Sequence, residues 1–205
     1  MRTRQRFPAQ PVFLMGNSMG GLTATLTALA VQESGMDLLS GVVLQCPLLH
    51  LSAPPPPVLT LLVSLIGRLA PRLPLLPHRA GKGTGASLER KVRAAMLADP
   101  LTYSGRLRAG TAVALHRAAK HAATRLGDLR IPFLVQHGDS DPLVALSGSV
   151  ALEAAAAAGD KRLLVYRGAG HNLLNETAAV LGQVRHDYLQ WMEARVDASW
   201  LSSGL

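Results

Sequence analysis

A serine between two glycines, Gly16-x-Ser18-x-Gly20, is the part of this 205-residue chain whose residue types and spacing best suit covalent chemistry. The apolar run 11–15 precedes it and the apolar-periodic segment 22–31 follows it, which predicts a strand, a sharp turn and a helix. Such a turn holds a serine hydroxyl clear of the backbone, and glycines let the strand and the helix pass closely. Ser18 is therefore the candidate nucleophile, and the alternative is a serine that only caps the helix.

Two later segments each place a polar residue just beyond an apolar, strand-like run. An Ile-Pro-Phe-Leu-Val-Gln run leads into a loop with Asp139 and Asp141, and a Leu-Leu-Val-Tyr run leads into a glycine-rich turn with His171. Because the carboxyl ends of parallel strands lie at one edge of a sheet, these side chains can converge on Ser18. The chain order Ser, Asp, His is typical of the α/β-hydrolase fold.

These residue types divide the chemistry of acyl transfer between them. A serine hydroxyl is a poor nucleophile until an imidazole takes its proton, and a carboxylate fixes the tautomer of that imidazole and stabilises its cation. We predict Ser18 as nucleophile, His171 as general base and acid, and Asp141 as the orienting carboxylate, with Asp139 as the competing candidate. The amide of Met19, the residue after the nucleophile, is the predicted oxyanion donor.

The remaining histidines and the single cysteine indicate no second catalytic site. No pair of histidines has a metal-ligand spacing such as H-E-x-x-H, so we predict no metal site. Cys46 is the only cysteine, which excludes an internal disulfide, suits a reducing compartment and favours a small buried side chain. The other histidines are interpreted as structural; they are His50, His78, His116, His121, His137 and His186.

An alternation of strands and helices must position the candidate residues. It predicts a parallel sheet flanked by helices in a single α/β domain over 1–205, with a helical cap inserted at about 51–125. The predicted strands are 12–15, 41–45, 131–136 and 162–166, and the predicted helices outside the cap are 19–33, 144–158 and 176–195. Within the cap, helices are predicted at 58–66, 87–97 and 108–126.

The apolar segment 58–66 follows four prolines and is too short to span a bilayer, which needs about 20 apolar residues. Two interpretations stay open. It is either a buried core helix, or a cap helix over Ser18 that lines an acyl-chain tunnel and dips into lipid. In the second case Arg68 and Arg72 would reach lipid headgroups.

The chain carries 21 basic and 13 acidic residues, for a formal net charge of +8. The basic residues are scattered and no aromatic platform accompanies them, so nucleic acid is not an expected partner. The basic start is followed by only a short apolar strand, which argues against a signal peptide. The sequence favours a cytoplasmic protein, with peripheral membrane contact through the cap as a further expectation.

Several segments together resemble the monoacylglycerol lipases. Residues 11–21 resemble the nucleophile elbow, 41–48 the next strand, 131–141 the acid strand, 166–176 the histidine loop, and 99–112 the cap segment of plant and algal members. The resemblance implies the α/β-hydrolase fold and hydrolysis of a lipid-like carboxylic ester, most simply a monoacylglycerol, without a metal or organic cofactor. The family also holds lysophospholipases and caffeoylshikimate esterases, so these substrates remain alternatives.

The chain departs from that family in two places. Gly170 precedes the histidine where family members usually carry a bulky aromatic residue. In the family the elbow follows the fifth of eight strands, and an earlier His-Gly loop supplies a second oxyanion amide. Residues 1–10 cannot hold four strands, so we expect the carboxyl-terminal part of a hydrolase with 11–15 as an open edge.

Two alternatives to an active hydrolase therefore remain open. One is an impaired fragment or scaffold, and the other is a basic membrane-binding module. The oligomeric state also stays open.

Overall fold

The strands and helices of the chain alternate, as the sequence pattern predicts. The computed structural model describes residues 10–76, 94–95, 98–103 and 105–196. Its strands are β1 (Phe13–Asn17), β2 (Gly41–Gln45), β3 (Pro74–Leu76), β4 (Leu107–Arg108), β5 (Phe133–Gly138) and β6 (Lys161–Tyr166). Its longer helices are α1 (Met19–Glu33), α2 (Pro57–Leu69), α3 (Ala109–Ala123), α4 (Leu146–Ala155) and α5 (Ala178–Glu193).

A four-stranded sheet in the order β1-β2-β5-β6 is the centre of the fold, and all its strands are parallel. Every residue of β2 and β5 is buried, which explains their continuous apolar sequences. Within the described residues β1 pairs only with β2, so it is an edge strand. The register pairs Asn17 with Gln45 and Gln45 with Gln136, which brings the carboxyl ends of β1, β2 and β5 together.

The two faces of the sheet bury different helices. On one face Leu44 and Phe133 pack with Leu22 of α1 and Leu152 of α4. On the other face Val43 and Leu134 pack against Trp191 of α5. Alternate strand residues therefore support opposite layers, which is the period-two pattern of a sheet covered on both sides.

The insert between β2 and β5 forms a cap in which α2 packs along α3 and β3 pairs with β4 in an antiparallel sense. The two helices lie close together at Gly67 of α2, where a Cβ would lie 2.7 Å from Val113 Cγ2 of α3. Of the residues of α2 only Val63 is buried, so the interpretation of this segment as a buried core helix is wrong. The short pair β3–β4 was not predicted. The predicted helix at 87–97 lies outside the described residues except for 94–95, which are helical.

No helix in the described ranges combines the length and the apolar content needed to cross a membrane.

Candidate active site

Ser18 lies in the sharp turn between β1 and α1, and its backbone has a positive φ of 54° with a ψ of −116°, a combination that residues other than glycine rarely adopt. Three hydrogen bonds hold this strained conformation. Ser18 N donates to Gln45 O at 2.9 Å, and Ser18 O accepts from Leu22 N at 3.1 Å and from Leu48 N at 3.0 Å. The side chain makes no helix-capping bond, which leaves the hydroxyl available. Strain that the surroundings fix in this way is typical of a functional position.

The elbow depends on close backbone approach at two glycines. A Cβ on Gly16 would overlap the carbonyl group of Gly20. A Cβ on Gly21 would lie 2.8 Å from Pro47 Cα, whereas a Cβ on Gly20 would meet no atom within 4 Å. Gly16 must therefore be glycine for steric reasons. Gly20 does not need to be glycine, and it is its backbone carbonyl that lies against Gly16. The second position where a side chain is excluded is Gly21, which the spacing of the motif does not single out.

Asp141 and His171 are in direct contact beyond the ends of β5 and β6. His171 Nδ1 donates to Asp141 Oδ2 at 2.7 Å, and both side chains are buried. Asp141 Oδ1 also accepts from the amides of Leu143 at 2.8 Å and Val144 at 2.9 Å. This arrangement leaves His171 Nε2 as the free ring nitrogen for proton transfer. No hydrogen bond joins Ser18 Oγ to His171 among the described residues.

Two opposing effects act on the charge of Asp141. Burial raises the pKa of its carboxyl, but hydrogen bonds from His137, His171 and the two amides outweigh it and bring the pKa well below the usual range. The carboxylate is therefore ionised at neutral pH, which is the state that stabilises an imidazolium.

Asp139 has different hydrogen-bond partners from Asp141. Its Oδ1 accepts from the amide of Gly168 at 2.7 Å and from the Ser140 hydroxyl at 3.1 Å. It thus ties the acid loop to the histidine loop, and among the described residues it makes no hydrogen bond to His171. The same loops also meet at Gly138, where a Cβ would overlap the carbonyl groups of the histidine loop.

His137 and Cys46 lie behind Asp141, and the structure shows contacts that the sequence analysis did not predict. His137 Nε2 is 3.1 Å from Val144 O and 3.5 Å from Asp141 Oδ2, and its Nδ1 is 2.7 Å from Ser149 Oγ. Because a carbonyl can only accept, Nε2 carries the proton and the Ser149 hydroxyl donates to Nδ1. The one available signal is a histidine next to the glycine that ends β5.

Cys46, His137 and Asp141 place their donor atoms within 4.8 Å of one another, and no other group in the described ranges could hold a metal ion by this criterion. Each of these three side chains, however, has a protonation state or a hydrogen bond that disfavours metal binding. Burial raises the pKa of the Cys46 thiol, so it stays protonated and is a poor ligand. Asp141 is bound by His171, and the protonated nitrogen of His137 faces a carbonyl. These contacts favour a role of His137 in supporting Asp141 over metal binding by the three residues.

Met19 is the first residue of α1, and its amide has no helical carbonyl to bind. It lies directly after Ser18, which is the usual place of an oxyanion donor at such a turn.

A mostly apolar cavity of about 630 Å³ lies between the cap and the core. Its walls come from the loop after β2, from α2 and α3, and from the start of α4. One wall residue, Leu48, donates its amide to the carbonyl of Ser18. Leu48 is thus the link between the cavity and the elbow, since Ser18, Met19, Asp141 and His171 are not among the lining residues.

Comparison with known proteins gives a family for most of the chain. The sequence profile of the family described as serine aminopeptidase, S33, matches residues 1–178. The monoacylglycerol lipase of Mycolicibacterium smegmatis is 34% identical over 185 residues, which make up 90% of this chain and 63% of that protein. The chain thus spans less than two thirds of the length of this relative.

Two solved structures share the fold. The monoacylglycerol lipase of Paleococcus ferrophilus superposes with a TM-score of 0.80 at 22% identity, over 95% of this chain and 72% of that one. A soluble variant of the Saccharomyces cerevisiae monoglyceride lipase, in complex with a substrate analog, also has a TM-score of 0.80, at 20% identity over 96% of this chain and 66% of that one. These likenesses show the α/β-hydrolase fold.

Proposed function

The chain belongs to the serine aminopeptidase S33 family as a monoacylglycerol lipase-like serine hydrolase, and from this premise we propose that it cleaves carboxylic esters of lipid-like substrates. The simplest substrate is a monoacylglycerol, which yields a fatty acid and glycerol. Ser18, His171 and Asp141 are the proposed catalytic triad, and the amide of Met19 is the proposed oxyanion donor. The proposed mechanism uses no metal or organic cofactor.

In the acylation step, Ser18 Oγ attacks the ester carbonyl carbon while His171 Nε2 takes the hydroxyl proton. The bond to the glycerol oxygen then breaks, and Nε2 returns the proton to that oxygen. In the second step Nε2 takes a proton from water as the water oxygen attacks the acyl carbon. The bond from that carbon to Ser18 Oγ then breaks, and Nε2 returns the proton to Oγ, which releases the fatty acid and restores the Ser18 hydroxyl. Asp141 holds Nδ1 throughout and stabilises the imidazolium.

The observation that carries this proposal is the 2.7 Å contact between His171 Nδ1 and Asp141 Oδ2, at the sheet edge where Ser18 is held in a strained turn. A nucleophile, a base and an orienting group at one edge are what acyl transfer requires. In free enzymes the bond between nucleophile and base is often long and tightens only with substrate. The absence of a hydrogen bond between Ser18 Oγ and His171 among the described residues is consistent with an enzyme that has no substrate bound.

The cavity supports an acyl substrate. Its volume of about 630 Å³ falls within the range of about 300–1,000 Å³ that is usual for small-molecule sites. Leu48 lines the cavity and also donates its amide to the backbone carbonyl of Ser18. The proposal puts the acyl chain of the substrate in this cavity and its ester carbonyl at Ser18 Oγ. Lysophospholipids and phenolic esters are the alternative substrates.

A second candidate is a non-catalytic scaffold, which one observation favours. The described site offers one oxyanion amide, from Met19, and the loss of a single donor costs about 10²–10³ in turnover.

We further propose that the cap contacts membranes peripherally, since α2 exposes apolar side chains along most of its length. These side chains are Val58, Leu59, Leu61, Leu62, Leu65 and Leu69. Lipid would cover this surface while the cavity behind it receives the substrate.

Labelling with a fluorophosphonate probe tests the catalytic proposal. We expect the purified chain to be labelled, and Ser18→Ala and His171→Ala to abolish labelling. Ser34→Ala is the matched control, because Ser34 lies at the far end of α1. If the folded chain is not labelled, the scaffold candidate is favoured. If it is labelled, hydrolysis of monoacylglycerol, lysophospholipid and phenolic esters separates the substrate classes.

A further inference from the structure

We propose that the cavity under the cap binds a single-chain amphiphile with an anionic headgroup, held at Lys120 and His116. This inference goes beyond ester hydrolysis, because a free anionic amphiphile has no ester to cleave. It rests on how charge is distributed over the cavity wall.

The body of the cavity is apolar. Aliphatic side chains from three parts of the chain face it: Leu48 and Leu51 from the loop after β2, Leu59 and Val63 from α2, and Val113 from α3. These groups suit one alkyl chain, since they provide apolar surface and few hydrogen-bonding groups.

The polar groups of the wall are basic or neutral. His116 and Lys120 are one turn apart on α3 and so lie on the same face of the helix. His50 also lines the cavity, with its Nδ1 3.3 Å from the Ser147 hydroxyl. No acidic residue in the described ranges lines the cavity. An anion therefore meets attraction at this wall without a competing carboxylate.

Lys120 differs from its basic neighbour Arg125 because its charge is not paired with a carboxylate of a described residue. Arg125 is paired with both Glu33 and Asp128, whereas Lys120 has no ion pair with a described residue. A neutral glyceride would leave the ammonium of Lys120 to water alone. A carboxylate or phosphate can form charge-assisted hydrogen bonds with it.

Two headgroups share this chemistry: the carboxylate of a fatty acid and the phosphate of a single-chain phosphomonoester. For a fatty acid, occupancy would make the released product a competitor for the acyl space. The test must therefore separate the two headgroups from each other and from a neutral ligand with the same chain.

The experiment measures binding to Ser18→Ala by calorimetry below the micelle concentration, with dodecanoate, dodecyl phosphate and methyl dodecanoate as ligands. We expect Lys120→Ala to weaken binding of at least one anion by about fivefold, the size of an exposed charge pair. Binding of the methyl ester should not change. Arg117→Ala is the matched control, because Arg117 is an exposed cation of α3 that does not line the cavity.

Tighter binding of dodecanoate would identify a carboxylate ligand, and tighter binding of dodecyl phosphate would identify a phosphate ligand. Equal effects of Lys120→Ala and Arg117→Ala would overturn the proposal, as would a failure of both anions to bind. Because Ser18 is absent from the protein used, a failure of fluorophosphonate labelling would leave this result untouched.

Discussion

At the scale of single residues, the fold gives the two candidate carboxylates of the acid loop different hydrogen-bond partners. Asp139 and Asp141 are two positions apart in one loop, yet only Asp141 reaches His171. Asp139 bonds the amide of Gly168 instead. The difference arises because Asp141 turns inward to the amides of Leu143 and Val144.

The two aspartates should therefore differ in their effect on activity. We expect Asp141→Asn to lower the rate of fluorophosphonate labelling by up to about 10⁴-fold, because the wrong histidine tautomer would be favoured. Asp139→Asn should change it less than tenfold. Labelling rates of the two purified variants provide the measurement, and a larger loss for Asp139→Asn would contradict the assignment.

The lowered pKa of Asp141 also predicts a dependence of stability on pH. Because the folded-state pKa lies below the unfolded value of about 3.9, the ionised carboxylate contributes stability that is complete above that value. The contribution is lost as the pH falls from about 4 toward the folded-state pKa. Urea unfolding should show Asp141→Asn destabilised by about 2 kcal/mol at pH 6, with a smaller difference at pH 2.5. A difference that does not change with pH would contradict this explanation.

Sequence reasoning works for residues whose role follows from their neighbours along the chain, such as Ser18 after a strand. It does not reach contacts that depend on strand register or on the path of a loop. His137 was interpreted as structural, which agrees with its contacts, but its position 3.5 Å from Asp141 depends on the path of the loop after β5 and could not be predicted. Likewise, the bond from Leu48 to Ser18 joins residues 30 positions apart and has no local signal.

At the scale of elements, predicted bounds are accurate where a local feature sets them. Helix α1 and strand β2 have the predicted bounds. Strand β5 begins at Phe133, two residues later than predicted, because Pro132 has no amide and offers only its carbonyl to Val42. The pair β3–β4 has strands of three and two residues, which are too short for a period to be recognised.

The elbow gives a matched pair of glycine variants. We expect Gly16→Ala to destabilise the fold by about 3 kcal/mol, the upper end of overpacking costs, because its Cβ would overlap the backbone of Gly20. Gly20→Ala should be neutral or stabilising by up to about 1 kcal/mol, since its Cβ meets open space in a helix. Urea unfolding of both variants is the measurement. Equal destabilisation by the two variants would show that the close approach of Gly16 to the Gly20 backbone is not what requires glycine at position 16.

At the scale of the whole molecule, exposed apolar side chains are concentrated on the cap. Leu61 is 71% exposed and Leu65 is 55% exposed on α2, and Arg68 lies in the last turn of the same helix. On the opposite side of the sheet, α5 exposes Leu189 as a single leucine. A contiguous apolar face beside a basic residue is what a helix in the plane of an anionic membrane requires.

The chain should therefore bind vesicles through the cap. We expect Leu61→Ser with Leu65→Ser to lower partitioning into phosphatidylcholine–phosphatidylglycerol vesicles by at least about tenfold, because two leucines lose burial in lipid. Arg68→Gln should cost up to about fivefold on these vesicles and nothing on pure phosphatidylcholine, because one basic residue contributes about 1 kcal/mol near an anionic surface. Leu189→Ser is the matched control and should bind like the unaltered chain. If that control loses as much binding, or if the cap variant instead separates a dimer in gel filtration, the apolar face serves another contact.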